Sequence, residues 1–197
     1  MRCRIAILII AGLFVIQSNC FAQSPKEQKD AEDYPNGQGD PQQELNLLEK
    51  KLEKALVINP EDVNSQFQLG EFYFYRGTIG VDITPEQMHQ YQKKSEQAFL
   101  RVLEINPQNA DAHNYLGQLY GTWGQHNSAI LQFQKAVKIN PQHNEAWLYL
   151  GMDYYRLGLL EESIRALENA QRSHKEGFSK KATELLAEVR SVQAGKK

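Results

Sequence analysis

Three Asn-Pro dipeptides divide the chain at a spacing that restricts it to a repeat architecture. They are Asn59-Pro60, Asn106-Pro107 and Asn140-Pro141, and each closes a similar phrase: KALVINP, RVLEINP and KAVKINP. The last two prolines are 34 residues apart and the first two are 47 apart, so the first unit holds 13 extra residues. Because proline lacks an N–H and disfavours helix in the residue before it, each dipeptide ends a helix. A 34-residue period with helical apolar spacing predicts stacked helix pairs.

The same kinds of side chain recur at the same places in each unit. In the third unit, Trp147, Leu150, Gly151 and Tyr154 form the pattern W-x2-L-G-x2-Y, which resembles the first half of the tetratricopeptide repeat (TPR). The second half of that pattern, A-x3-F followed by Ala and Pro, is complete in the second unit, and the resemblance covers about residues 63–176. The matching residues are Gln66, Leu69, Gly70, Tyr73, Ser95, Phe99, Val102 and Pro107 in the first unit; His113, Leu116, Gly117, Tyr120, Ala129, Phe133, Ala136 and Pro141 in the second; and Trp147, Leu150, Gly151, Tyr154, Ser163, Leu167 and Ala170 in the third.

The resemblance implies an all-α fold, an α-solenoid of three TPR helix pairs with an additional N-terminal helix and a C-terminal capping helix. Such pairs stack because no single pair can bury its own apolar face, and the end helices need a polar outer face. We expect a first helix from Glu44 to Ile58, whose apolar residues occupy second-helix positions of an incomplete repeat. The expected capping helix follows Ser179, with Ala182, Leu185, Leu186 and Val189 on one face and Lys180, Lys181, Glu184, Glu188 and Arg190 on the other.

The 13 extra residues lie between Gly77 and the second helix of the first unit. Thr84, Pro85 and Gln87 have the order of an N-cap, a first-turn proline and a capping-box glutamine. This order predicts that the second helix begins near Pro85 and is lengthened by part of the insertion. The rest is expected as a loop, which either borders the binding face or is a neutral change of length on a tolerant surface.

The first 22 residues have the features of a signal peptide. Arg2 and Arg4 precede an uncharged run that ends at Ile16, and Ala22 is a small residue at the cleavage position. The run is shorter than the roughly 20 apolar residues that cross a bilayer. Cleavage after Ala22 would remove both cysteines and leave 20 basic against 24 acidic residues. We therefore expect an exported, periplasmic or secreted protein; the alternatives are a retained N-terminal anchor and lipidation of Cys20.

Residues 23–42 contain one aromatic residue, Tyr34, and no aliphatic side chain larger than that of Ala31. This composition cannot bury enough surface to offset the entropy of ordering, and it predicts a disordered linker. The expected organisation is therefore a signal peptide (1–22), a linker (23–42), an N-terminal half-repeat helix (43–62), TPR 1 with its insertion (63–109), TPR 2 (110–143), TPR 3 (144–177), and a capping helix with a tail (178–197).

No pattern of residues indicates catalysis, a cofactor or a metal. The histidines have no H-E-x-x-H spacing, no G-x-S-x-G elbow is present, and Gly117, Gly121 and Gly124 lack the context of a phosphate loop. We expect His126 and His143 to be solvated in turns, and no carboxylate to lie where burial would raise its pKa. A balance of 22 basic and 24 acidic residues gives no footprint for nucleic acid. The sequence therefore predicts a protein that is not an enzyme and has no small-molecule substrate.

The resemblance implies that the function lies in the concave groove, which the first helix of each TPR lines. The family's groove positions carry over to Asn64, Phe67, Glu71, Phe74 and Tyr75 in the first unit; Asp111, Asn114, Gln118, Gly121 and Thr122 in the second; and Glu145, Leu148, Met152, Tyr155 and Arg156 in the third. Of these, the predicted partner-binding residues are Phe67, Glu71, Phe74, Tyr75, Asn114, Gln118, Leu148, Met152, Tyr155 and Arg156. An alternative for Phe67 and Phe74 is packing against the flanking helices.

The implied function is that of an exported scaffold, which binds a peptide or protein partner in a cell-envelope assembly or maturation process. The lysine and asparagine clamp that some TPR domains use for a peptide carboxylate is not expected, because only Asn114 is similar to it. Aromatic rings are instead expected to bind apolar side chains, while Asn114 and Gln118 bond the partner's backbone. The alternatives are a self-associating structural envelope protein and a lipidated outer-membrane TPR lipoprotein.

Overall fold

The computed structural model describes residues 41–80, 83–172 and 176–195, and within these ranges the chain forms eight α-helices and no strand. The predicted signal peptide and all but the last two residues of the predicted linker lie outside the described residues. The helices are α1 Pro41–Ile58, α2 Val63–Ile79, α3 Pro85–Ile105, α4 Ala110–Thr122, α5 His126–Ile139, α6 Asn144–Arg156, α7 Leu160–Gln171 and α8 Glu176–Gly195.

These helices form two layers. The pairs α2 with α3, α4 with α5, and α6 with α7 have the most extensive contacts, and each second helix also contacts the first helix of the next pair. The first helices α2, α4 and α6 contact one another in turn, and α6 contacts α8, whereas successive second helices meet at most marginally. Successive first helices therefore lie closer to one another than successive second helices do, so the first helices form the inner layer of the stack. The predicted all-α solenoid is confirmed.

One small residue in each first helix receives a large side chain from its second helix. A Cβ atom placed on Gly70 would lie 2.8 Å from the Phe99 ring, and one on Gly117 would lie 2.6 Å from the Phe133 ring. In the third pair, the same atom on Gly151 would lie 2.6 Å from Leu167. Only glycine allows this approach, so the phase read from the sequence is also the phase of the packing.

Each Asn-Pro turn is built in the same way and leads into a capped helix. The side-chain oxygens of Asn59, Asn106 and Asn140 accept a hydrogen bond from the backbone N–H two residues further on, at 3.0–3.3 Å. The next first helix is then capped by a side chain that accepts from the N–H three residues later. These caps are Asp62 for α2, Asn109 for α4 and His143 for α6.

The tyrosine of the repeat pattern bonds the second helix of the preceding unit. Tyr154 accepts a hydrogen bond from Gln134 of α5 at 2.7 Å. Tyr73 has its partners in α1, where its hydroxyl donates to Glu49 at 3.0 Å and to Glu53 at 3.3 Å. Helix α1 therefore stands in the place of a second helix of an incomplete repeat, as the sequence predicts.

The insertion lengthens both helices of the first pair. Helix α2 has 17 residues where α4 has 13, and α3 has 21 where α5 has 14, which places 11 of the 13 extra residues in helix. The other two lengthen the connection between α2 and α3. The predicted start of α3 at Pro85 is confirmed: Thr84 accepts from the Gln87 N–H, and the Gln87 side chain accepts from the Thr84 N–H.

The added turns of α3 are held to the stack by Gln92. Its amide donates to the Gly77 carbonyl at 2.7 Å and accepts from the Trp123 indole N–H, also at 2.7 Å. Gly77 occupies the place of Gly124 and Gly158, which turn the chain with φ of 72° and 75° in the other two pairs. In the first pair, helix α2 continues through this glycine, and a Cβ atom there would lie 2.8 Å from Gln92. The same glycine position is thus a turn in two pairs and a close helix contact in the third.

Helix α8 closes the stack at the position of a further first helix. It begins at Glu176, earlier than the predicted start after Ser179, because Phe178 packs on the third pair and the Ser179 hydroxyl donates to the Gln171 carbonyl. Its predicted apolar stripe is confirmed, since Ala182, Leu186 and Val189 are buried, and its charged residues are exposed.

Candidate partner-binding groove

Two tyrosines in the first-helix layer stack on rings of the preceding second helix. Tyr115 of α4 lies on Phe99 of α3, with ring centroids 4.8 Å apart and planes 4° from parallel. Tyr149 of α6 lies on Phe133 of α5, with centroids 5.9 Å apart and planes 15° from parallel. The two tyrosines are 34 residues apart, so they occupy the same position in successive repeats. Each ring therefore covers a core phenylalanine.

The Tyr115 hydroxyl joins two residues of α2. It donates to the Glu71 carboxylate at 2.8 Å and lies 3.3 Å from the Tyr75 hydroxyl. Burial raises the pKa of Glu71, the bond from Tyr115 partly opposes this rise, and the charge of Asp111 adds to it. Burial also raises the pKa of Tyr115, followed by the negative charge of Glu71. Glu71 is thus a carboxylate whose charge is costly where it stands.

Helix α4 contributes two amides to the same layer. The Asn114 amide is 1% exposed and donates to the Glu145 carboxylate of α6 at 3.3 Å. Since a carboxylate only accepts, this bond fixes which end of the amide is NH₂. The other end, Asn114 Oδ1, is buried without a hydrogen-bond partner, as is the Gln118 Nε2 atom one turn further along α4.

Tyr149 completes this arrangement from the third repeat. Burial raises the pKa of its phenol, and the charge of Glu145, one turn earlier on α6, adds to the rise. We call this group of seven polar side chains, which comes from α2, α4 and α6, the central polar cluster. Its members are Glu71, Tyr75, Asn114, Tyr115, Gln118, Glu145 and Tyr149.

Four of the ten predicted partner-binding residues belong to the central polar cluster: Glu71, Tyr75, Asn114 and Gln118. Tyr115 and Tyr149 were missed, because they do not occupy the family's groove positions. Their recurrence at the 34-residue spacing is the signal that could have found them. The expectation that no carboxylate is perturbed by burial is wrong for Glu71, because burial raises its pKa although the carboxylate accepts a hydrogen bond from the Tyr115 hydroxyl.

Three of the other predicted residues are packing residues. The Phe67 ring meets those of Phe99 and Tyr115 edge-on, with centroid distances of 5.5 and 5.8 Å. Phe74 is 7% exposed and belongs to the same hydrophobic core as Phe99. Leu148 is 1% exposed because α8 covers it. The prediction that Leu148 lines the groove is therefore wrong in physical terms: the capping helix takes the place that a partner would need.

The remaining three residues lie toward the α8 end of the layer. Met152 packs partly on α8, and the Tyr155 hydroxyl donates to Glu188 of α8 at 2.8 Å. Arg156 is exposed and pairs with the buried Asp153 carboxylate at 2.8 Å. The central polar cluster and this second group are thus separate along the layer.

The histidines of the turns are structural, and the expectation that they are solvated is wrong. His143 is 9% exposed; its Nδ1 accepts from the Ala146 N–H, and its Nε2 lies 3.0 Å from Asp111. His126 lies 2.9 Å from the buried carboxylate of Asp153. Both rings tie one repeat to the next. Among the described side chains, no three His, Asp or Glu groups are placed to hold a metal ion.

A stack of helix pairs with a polar inner face defines a helical repeat protein. Residues 98–131 match one family model of the tetratricopeptide repeat, and residues 124–177 match another. Residues 98–177 of this chain therefore carry tetratricopeptide repeats, and neither matching model describes an enzyme. No curated protein sequence matches the chain.

Solved TPR structures share the fold at low sequence identity. The first TPR of Spaghetti (RPAP3) bound to the HSP90 peptide SRMEEVD is 16% identical, with a TM-score of 0.52 over 65% of this chain and 95% of that one. The Sgt2 TPR domain from Aspergillus fumigatus is 18% identical, with a TM-score of 0.52 over 64% and 81%. A thermophilic TPR protein of Thermus thermophilus is 17% identical, with a TM-score of 0.59 over 75% of each chain. Within the described residues, no helix combines the length and apolar character needed to cross a membrane.

Proposed function

We propose that this protein is an exported TPR scaffold that binds a peptide or protein partner along its first-helix layer. The observation that carries the proposal is the central polar cluster, in which two buried polar atoms have no hydrogen-bond partner among the described residues. Nearly all buried polar groups in folded proteins are bonded, so such atoms need an explanation. A partner lying across α2, α4 and α6 would supply the missing bonds. The similar fold that holds an HSP90 peptide supports a peptide as the partner.

The order of the cluster also favours an extended partner. Its side chains come from three successive repeats, and Tyr115 and Tyr149 repeat at one spacing along the stack. A ligand with a regular backbone can meet such a series, whereas a compact small molecule would reach only part of it. The rings are also rigid, so little side-chain entropy is lost when a partner covers them.

An array of synthetic nine-residue peptides, probed with the full-length chain, tests the groove. In the full-length chain, Tyr75→Ala is expected to weaken the binding of these peptides by about tenfold or more, because truncation of a buried aromatic contact has an effect of this size. The matched control is Tyr91→Ala on α3, which removes a tyrosine that stacks on Tyr73 outside the cluster. Equal losses in both variants, or an array without bound peptides, would contradict the proposal.

The second part of the proposal is a role in a cell-envelope assembly or maturation process. It is supported by the predicted signal peptide at residues 1–22. Fractionation of producing cells, followed by N-terminal sequencing, is expected to find the chain in the envelope and starting after Ala22. A lipid-modified Cys20 would favour a lipoprotein, and a cytosolic chain that keeps residues 1–22 would contradict export.

A further inference from the structure

We infer that the partner segment is basic, with an arginine or lysine side chain between Glu71 and Glu145 and with its backbone along α4. This inference rests on the proposed function, since it names the chemistry of the peptide that the groove binds. It departs from the acidic peptide in the similar RPAP3 structure.

The first argument is the charge of the inner layer. Glu71, Asp111 and Glu145 bring one carboxylate each from three successive first helices, and Glu188 of α8 bonds Tyr155 at the end of the layer. Arg156 also lies toward that end, and it is paired with the buried carboxylate of Asp153. Such an excess of negative charge attracts a basic segment and repels an acidic one.

The second argument is the state of Glu71. Within the described part of the chain it has no ion pair, and its hydrogen bond comes from the neutral phenol of Tyr115. Burial raises the pKa of Glu71, and the charge of Asp111 raises it further. A guanidinium or ammonium group placed beside this carboxylate would replace the lost solvation of its charge. The half-buried rings of Tyr75 and Tyr115 adjoin it and offer faces for the same cation.

The third argument is independent of charge. Asn114 Oδ1 lacks a donor and Gln118 Nε2 lacks an acceptor, and the two residues lie one turn apart on α4. A peptide backbone offers one N–H and one C=O per residue, so it can supply both. Gln118 is half-buried, so part of its side chain is accessible to a partner. A free amine would not meet the need of Gln118, which points to a peptide.

Matched peptides test this inference. Fluorescein-labelled nine-residue peptides on a common Ser, Ala and Leu background would carry two Arg, two Gln or two Glu residues, with SRMEEVD as a further acidic probe. Fluorescence anisotropy with the full-length chain is expected to rank Arg above Gln above Glu. The preference for Arg is expected to fall as salt is raised.

Charge-removing variants locate the effect. Glu71→Gln keeps an acceptor for Tyr115, and Glu145→Gln keeps one for Asn114, so both should fold. Each variant is expected to bind the Arg peptide about fivefold more weakly than the wild-type chain and to bind the Gln peptide with unchanged affinity. The matched control is Glu104→Gln on α3, which removes an exposed carboxylate that pairs with Arg101. The Glu104→Gln variant should bind the Arg peptide and the Gln peptide with wild-type affinity.

The outcomes separate this inference from the proposed function. If the Glu peptides or SRMEEVD bind and the Arg peptides do not, the groove binds peptides but the inference is wrong. If Arg peptides bind equally to Glu71→Gln, Glu145→Gln and Glu104→Gln variants, the basic site lies elsewhere and the inference is again wrong. If no peptide binds at any charge, both the inference and the proposed function fall.

Discussion

The substitution Gly117→Leu is expected to destabilise the middle of the stack. The first carbon of the new side chain would lie 2.6 Å from the Phe133 ring, and the remaining carbons would have to enter the same space. Phe133 cannot withdraw, because it is 1% exposed and its other neighbours include the stacked ring of Tyr149. The strain must therefore move whole helices rather than one side chain.

The magnitude follows from two opposing effects. Overpacking of a dense core costs about 1–3 kcal/mol and occasionally more. Replacement of a helical glycine recovers about 0.8 kcal/mol of helix propensity. Since leucine adds four carbons where not even one fits, we expect a net loss of about 2 kcal/mol or more. For a domain of this size, this loss corresponds to a fall in Tm of about 4–8 °C, measured by circular dichroism.

The matched control is Gly177→Leu in α8. No heavy atom lies within 4 Å of a Cβ atom at Gly177, so its effect should stay within about 0.5 kcal/mol. A second test adds Phe133→Ala to Gly117→Leu, and the double variant should lose less stability than the sum of the two single variants. If Gly117→Leu melts at the wild-type temperature, or if the two losses simply add, the assignment of this helix contact is wrong.

Three further changes test other parts of the structure. Ser163→Ala removes a hydroxyl that donates to the Gly151 carbonyl at 2.7 Å; it should cost about 1 kcal/mol in urea unfolding, and a loss above about 3 kcal/mol would contradict this account. Trp123→Phe leaves Gln92 of the lengthened α3 without its indole donor and should cost about 1–2 kcal/mol in the same assay, whereas no loss would show that this bond does not hold the insertion. Burial raises the pKa of Glu71, so the carboxyl group binds its proton more tightly in the folded chain than in the unfolded chain. Above the folded-state pKa the charged carboxylate therefore lowers the free energy of unfolding, and this destabilisation disappears as the pH falls through that pKa. Glu71→Gln should therefore raise Tm at pH 7 and not at about pH 4, and equal changes at both values would contradict the assignment.

The repeat itself could be predicted because its signals are local. Leu116, Gly117 and Tyr120 share one helix face, and the Asn-Pro dipeptides end the second helices, so both phase and helix count follow from spacing alone. The capping box that begins α3 at Thr84 is also a matter of four neighbouring residues. Each of these features is decided within one helix pair, where sequence distance and spatial distance agree.

The inner layer could be predicted only in part, because its contacts join different repeats. The pairing of Tyr115 with Glu71 spans 44 residues, and that of Asn114 with Glu145 spans 31. Whether Glu71 is buried depends on the Tyr115 ring of the next repeat, which the pattern of its own helix does not reveal. Leu148 looked like a groove residue for the same reason, since the helix that covers it is α8. Spacing within a repeat therefore predicts which face a residue lies on, and the next repeat decides whether that face is open.

Gly77 also shows how the longer first pair is related to the other two. Residues 78–90 are 13 in number, and their removal would join Gly77 directly to Tyr91, in the register in which Gly124 precedes Gln125. The excised chain would need its glycine to adopt the positive φ of Gly124, a change that only this residue type makes without strain. The 13 extra residues therefore form a segment that can be deleted between Gly77 and Tyr91 without a change in the register of the repeat. The deletion should shorten one rim of the stack and leave the spacing of its three pairs unaltered.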